Sequence, residues 1–182
     1  KLIYVPIIHT EADMGSMAEP LKKEFVDKFG ATTWKQHTQA VEAMWQGIRK
    51  KIEALQLDPH RIRIYQDGLP VCGRELDIVK DVAAQGSENH KIVQEWVTQG
   101  AHLEGTEDLN LLLEEYRYIK KTLEITDPVK KAREIKRQKR AKDKLLVKRD
   151  RFIAKRIDQT LNCNETGLLF SGITHEVDRF LP

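Results

Sequence analysis

Three short runs rich in branched and aromatic residues constrain this chain most: "LIYVPII" at residues 2–8, "IRIY" at 62–65 and "LLFSG" at 168–172. Each is too short for a stable helix and apolar enough for a strand buried on both faces. The intervals between them are long and carry helical periodicity, so hairpins cannot join these strands. Strands alternating with helices of this length predict βαβ crossovers, hence an α/β fold with a mainly parallel sheet flanked by helices. Open sheets of that kind collect ligands at the carboxyl ends of their strands. His9, Asp67 and His175 stand there, each just past one of the runs.

The intervals divide into helices at recognisable signals. Residues 17–29 read as a helix with Pro20 in its first turn and Gly30 as its stop. Residues 33–57 read as another, capped by Thr33 and ended by Asp58 and Pro59, with Val41, Met44, Trp45, Ile48, Ile52 and Leu55 on one face. Two more are expected at 75–84 and 88–98, divided by Gly86; "AHLEG" is a candidate short strand, and residues 108–123 form an amphipathic helix. Asp127 caps and Pro128 opens a long helix over about 128–161, directly before the last strand. At 182 residues, with 40% hydrophobic and 32% charged, a single domain over residues 1–182 is expected. No apolar run approaches the ~20 residues that span a bilayer, so no membrane partner is expected and the chain reads as cytoplasmic. Cys72 and Cys163 have neither metal spacing nor a disulfide framework.

Net charge is +3, but it is segregated. Residues 129–158 hold 14 Lys and Arg against 4 acids, whereas the rest of the chain holds 17 against 24. The first half of this basic helix has no continuous apolar face between Ile135 and Leu145, so it should protrude; Leu145, Leu146, Phe152, Ile153 and Ile157 can pack.

Imidazole and carboxylate are ligands for zinc, manganese or iron, so His9, His175 and Asp67 are the candidate metal ligands. Gly172, three residues before His175, lets another backbone or a ligand approach. Glu11, Asp13, Glu176 and Asp178 follow the two histidines and are candidates to orient the rings or to act as general base on a bound water.

A strand-end "GITH" near the C-terminus, "PIIH" near the N-terminus, an acid after an intervening strand in "YQDG", and "RDRFIAKRIDQTL" before "GLLFSGITHEVDRFL" together resemble the TraB, TIKI, ChaN and erythromycin-esterase-like superfamily. Pro6 stands where that pattern has glycine, and Asp67 where it has glutamate. The resemblance implies a metal-supported hydrolytic site, as in peptidase members, or ligand binding without chemistry. It also implies His9 and His175 as metal or substrate ligands, with Asp67 as the acid between them. Arg149 or Arg156 would bind an anionic group of a small-molecule or peptide substrate, since guanidinium pairs with carboxylate and phosphate in bidentate fashion.

Two other readings stand beside this one. The domain is a non-catalytic regulatory or scaffold protein, or its basic helix serves a partner. That partner is a second copy meeting the acidic residues 104–115, giving a homo-oligomer, or a nucleic acid bound through its phosphates.

Overall fold

The computed structural model describes residues 1–182 and contains one sheet of four parallel strands: β1 (Leu2–Ile7), β2 (Ile62–Gln66), β3 (His102–Glu104) and β4 (Thr166–Gly172). Their order across the sheet is β1-β4-β2-β3. The last strand of the chain therefore lies between the first and the second. Ile7 is level with Gly172, and Gln66 with Phe170. Three strand exits from distant parts of the sequence are thereby brought side by side, in the α/β arrangement expected from the apolar runs.

Burial on both faces explains why β4 reads as an unbroken apolar run. On one face, Val5, Ile7, Ile64, Leu168 and Phe170 pack against Val41 and Trp45 of α2 (Ala31–Ala54), Val79 of α3 (Glu75–Ala84) and Ile92 of α4 (Glu88–Thr98). On the other, Tyr65 and Leu169 pack against Ile153, Ala154 and Ile157 of α6 (Pro128–Thr160) and against Val177. A shorter helix, α1 (Ala18–Phe29), precedes α2, and α5 (Leu109–Leu123) precedes α6.

Most helix ends follow their sequence signals. Asp108 accepts from the amides of Asn110 (2.8 Å) and Leu111 (3.1 Å), and Asp127 from that of Lys130 (2.8 Å). The ends of α2 differ from expectation. It begins at Ala31 after Gly30, which takes φ +87°, and the hydroxyl of Thr33 donates back to the Phe29 carbonyl (2.8 Å) instead of capping the helix. It stops at Ala54 because Gln56 adopts φ +47°, a left-handed stop made without glycine.

α6 has 33 residues, about 50 Å at 1.5 Å per residue, and its C-terminal part covers the sheet. Arg149 and Asp150 meet the carboxyl edge, so residues 128–148 continue past it. That half is not solitary: α5 lies along it, Gln138 is buried between them, and the Thr122 hydroxyl donates to the Gln138 side chain (3.3 Å). The acids expected to face a second basic helix are largely used within the chain. Glu104 pairs with Arg63 and Arg156, while Glu107 and Glu115 pair with Arg149.

Candidate functional site

Three strand exits and one helix supply a buried polar cluster. Asp67 follows β2, Glu107 follows β3, His175 follows β4, and Arg149 and Asp150 come from the face of α6 that also carries Leu145, Ile153 and Ile157. The α6 spacing puts both charged residues on the packing side, and the strand register then sets them over the carboxyl edge.

His175 is the hinge of this cluster. An ionised carboxylate only accepts hydrogen bonds, so Nδ1 carries the hydrogen and donates to Asp150 Oδ1 (2.5 Å). The second oxygen of Asp150 accepts from the Glu176 amide (3.1 Å) and fixes the turn that holds the ring. Nε2 therefore faces Asp67 Oδ2, 3.5 Å away. Burial would lower the imidazole pKa, but the Asp150 hydrogen bond and the charge of Asp67 outweigh it and raise the value. Gly172 makes this approach feasible. Its amide donates to Asp67 Oδ2 (2.9 Å), and a Cβ there would lie 3.2 Å from that same oxygen.

Arg149 is the only arginine or lysine among these groups. Its Nη2 donates to Asp67 Oδ1 (2.9 Å) and to Glu107 Oε1, its Nε to Glu107 Oε2 (2.8 Å), and its Nη1 to Glu115 (2.7 Å). Asp67 and Glu107 respond in opposite directions. Burial opposes ionisation of Asp67, yet His175 and Arg149 hold its carboxyl below the ordinary range. Burial dominates at Glu107 and pushes it up, with the charge of Asp67 adding to that effect.

Asp67, Glu107 and His175 can hold a metal ion: one ligand atom from each lies within 4.8 Å of the others. One imidazole and two carboxylates are a donor set for zinc, manganese or iron. The 3.5 Å between Nε2 and Oδ2 is long for a hydrogen bond, and close to the ~3.3 Å that separates two ligands on a tetrahedral ion with bonds of ~2.0–2.1 Å. Gln66 Oε1 and Ser171 Oγ, one residue before Asp67 and Gly172, are buried without a hydrogen-bond partner.

The other residues singled out in the sequence lie elsewhere. His9 is exposed and stands with Glu11 at a recess of about 890 Å³ on the α2 face of the sheet, whose wall includes Phe25, Trp34, His37 and Glu42. Neighbouring strands do bring His9 and His175 to one edge, but His9 is not in the ligand group. Glu11 pairs with Lys22 (2.9 Å). Glu176 is exposed and pairs with Arg179, and Asp178 is exposed. Arg149 is committed to three carboxylates of its own chain, so an anionic substrate group would have to displace one. Arg156 holds Glu104 (3.0 Å) and the Gly105 carbonyl (3.1 Å). Asp13 does not orient a strand-end histidine: it accepts from Thr10 (amide 2.6 Å, hydroxyl 2.8 Å) and lies 3.2 Å from Nδ1 of His90 in α4.

Sequence reasoning missed Glu107, Asp150 and Tyr4. Glu107 obeys the rule that exposed Asp67, an acid just past a strand, but β3 is only three residues long. Asp150 had a clearer signal, as an acid on the apolar face of an otherwise basic helix. Tyr4 reaches the site through its hydroxyl, 2.9 Å from the Gly172 carbonyl and 3.0 Å from that of Ser171; burial and the nearby Asp67 push its pKa up.

Comparison of the chain with protein-family models, with curated proteins and with solved structures returned no match.

Proposed function

We infer that this chain is a hydrolase-like α/β domain whose strand-end cluster binds a divalent cation through Asp67, Glu107 and His175. The observation that carries this reading is the Asp150–His175 pair. A carboxylate on Nδ1 fixes the tautomer and turns Nε2 toward two buried acids, the arrangement by which metal-binding histidines are oriented. Zinc, manganese or iron there would lower the pKa of a bound water and polarise a scissile carbonyl or phosphoryl oxygen. The chain's own residues supply the rest. Asp150 holds the proton on Nδ1 of His175, and Arg149 sets the two acids at a fixed separation. The resemblance to the TraB-like superfamily agrees with this reading and names peptides among its substrates.

The test is hydrolysis of a panel of peptide and ester substrates by chelator-treated protein reloaded with Zn²⁺, Mn²⁺ or Fe²⁺. Reloaded wild-type protein is expected to be active, Asp67→Asn and His175→Gln inactive, and Asp150→Asn reduced about 10–100-fold. Activity that survives in His175→Gln would refute the assignment.

One observation favours a second reading, a scaffold with no chemistry. Each oxygen of Asp67 and Glu107 already accepts a hydrogen bond from Arg149, Gly172 or Gly68. Arg149→Gln separates the two readings. A cation site regains thermal stability when Mn²⁺ is added to this variant, whereas a purely structural ion-pair network does not.

A further inference from the structure

We propose that the solvent face of α6 is a binding ridge for the phosphate backbone of duplex nucleic acid. At 100° per residue, every position from Arg133 to Lys155 within an arc of about 80° is Lys or Arg. Arg133, Arg140, Lys144, Lys148, Arg151 and Lys155 all lie on it and all are exposed. None of the six is in an ion pair with a carboxylate of the chain; Arg137, the remaining member of the arc, pairs with Glu134 (2.7 Å). The buried residues Leu145, Arg149, Ile153 and Ile157 occupy the opposite side of the helix, so packing on the sheet aims the ridge outward. Glu104, Glu107 and Glu115 are held by Arg63, Arg149 and Arg156 and are not available to it.

Length, rigidity and composition select the ligand. From Arg133 to Lys155 the ridge spans about 33 Å at 1.5 Å per residue, close to one turn of B-form duplex at ~34 Å. A line of seven cations with no acid among them matches a line of phosphates. The arc carries no aromatic side chain on which unpaired bases would stack, which disfavours a single strand. It carries no apolar residue to enter a lipid interface or to form the dry centre of a protein interface. Binding of this kind reads backbone and not base sequence.

Fluorescence anisotropy of a labelled 20-base-pair DNA duplex tests the proposal. Wild-type protein should bind at 50 mM salt and lose roughly 10³-fold in affinity by 200 mM. The variant Arg133→Gln, Arg140→Gln, Lys144→Gln, Lys148→Gln replaces exposed residues with a good helix former. It should bind at least ~100-fold more weakly at 50 mM, with a salt slope shallower by about 3–4. A control with the same charge change on α2 and α3, Lys35→Gln, Lys50→Gln, Lys51→Gln, Lys80→Gln, should stay within ~3-fold of wild type if the ridge, and not net charge, is responsible. Three results would overturn the proposal: no duplex binding by wild-type protein at 50 mM, equal losses in the two quadruple variants, or binding to phosphatidylserine vesicles in place of the duplex.

Discussion

At the scale of single residues, the same chemical type serves opposite ends in this chain. Asp67 and Asp13 each follow a strand and each contact a histidine. Asp67 belongs to the buried polar cluster over the strand ends, whereas Asp13 is a lock. Burial would raise the Asp13 pKa, but hydrogen bonds from His90, Ser87 and Thr10 outweigh it and hold the carboxyl at about 2, against an ordinary 3.8. A depressed acid stabilises the fold above its unfolded pKa, and that contribution disappears as pH falls through the folded value. For Asp13 it is present above about 4 and lost between about 4 and 2, on the order of 2 kcal/mol. Asp13→Asn should therefore be less stable at neutral pH by about that amount. It should also show a flatter decline between pH 4 and pH 2 than wild type, measured by urea unfolding across that range. An unchanged acid limb would show that the loop is not held by this group. His175 has the opposite sign. Its raised pKa gives stability fully present below about 6.5 and lost as pH rises through the folded value.

At the scale of elements, strands and caps were legible because their signals are local. The run at 62–65 had to be a strand and Asp127 a cap, since a short carboxylate before a helix satisfies free amides wherever it occurs; Asp108, read as the first residue of its helix, caps α5 for the same reason. The ends of α2 were not legible. Its start depends on Gly30 linking two helices almost without a break, and its stop depends on Gln56 tolerating a left-handed backbone that only the tertiary context enforces. Such a backbone costs a non-glycine residue roughly 1–2 kcal/mol. Gln56→Gly is accordingly expected to stabilise the protein by about 1 kcal/mol, raising the midpoint of chemical unfolding at constant m value. A lowered midpoint would mean that the Gln56 side chain contributes more than its strain removes. The site was half legible for a related reason. Its strand-end members stand in order along the chain, but their pairing with Arg149 and Asp150 follows from how α6 crosses the edge.

At the scale of the whole molecule, the fold joins two unlike regions through one helix. The C-terminal part of α6 is core, with Ile153, Ala154 and Ile157 almost fully buried, while its first half lies past the sheet with α5 along it and an ion pair from Lys131 to Glu24 of α1 (2.6 Å). Opening free energies should divide along the same line. Hydrogen exchange is expected to find amides at 149–157 protected nearly to the level of β4, and those at 129–142 exchanging through local fraying. Uniform protection along the helix would mean that the overhanging half is packed against more than α5. The segregation of charge reflects this division, because cations excluded from the core collect on the free side of α6. The sequence showed the excess, and the burial of one side turned it into a ridge.

The cation proposed at the carboxyl edge, between groups from three strands, is tested most directly by calorimetric titration of Mn²⁺ and Zn²⁺ into chelator-treated protein. One ion per chain should bind wild-type protein. Asp67→Asn and His175→Gln should each weaken binding by at least ~1.4 kcal/mol, a factor of 10 in affinity. No binding to the wild type, or equal binding in all three proteins, would contradict it.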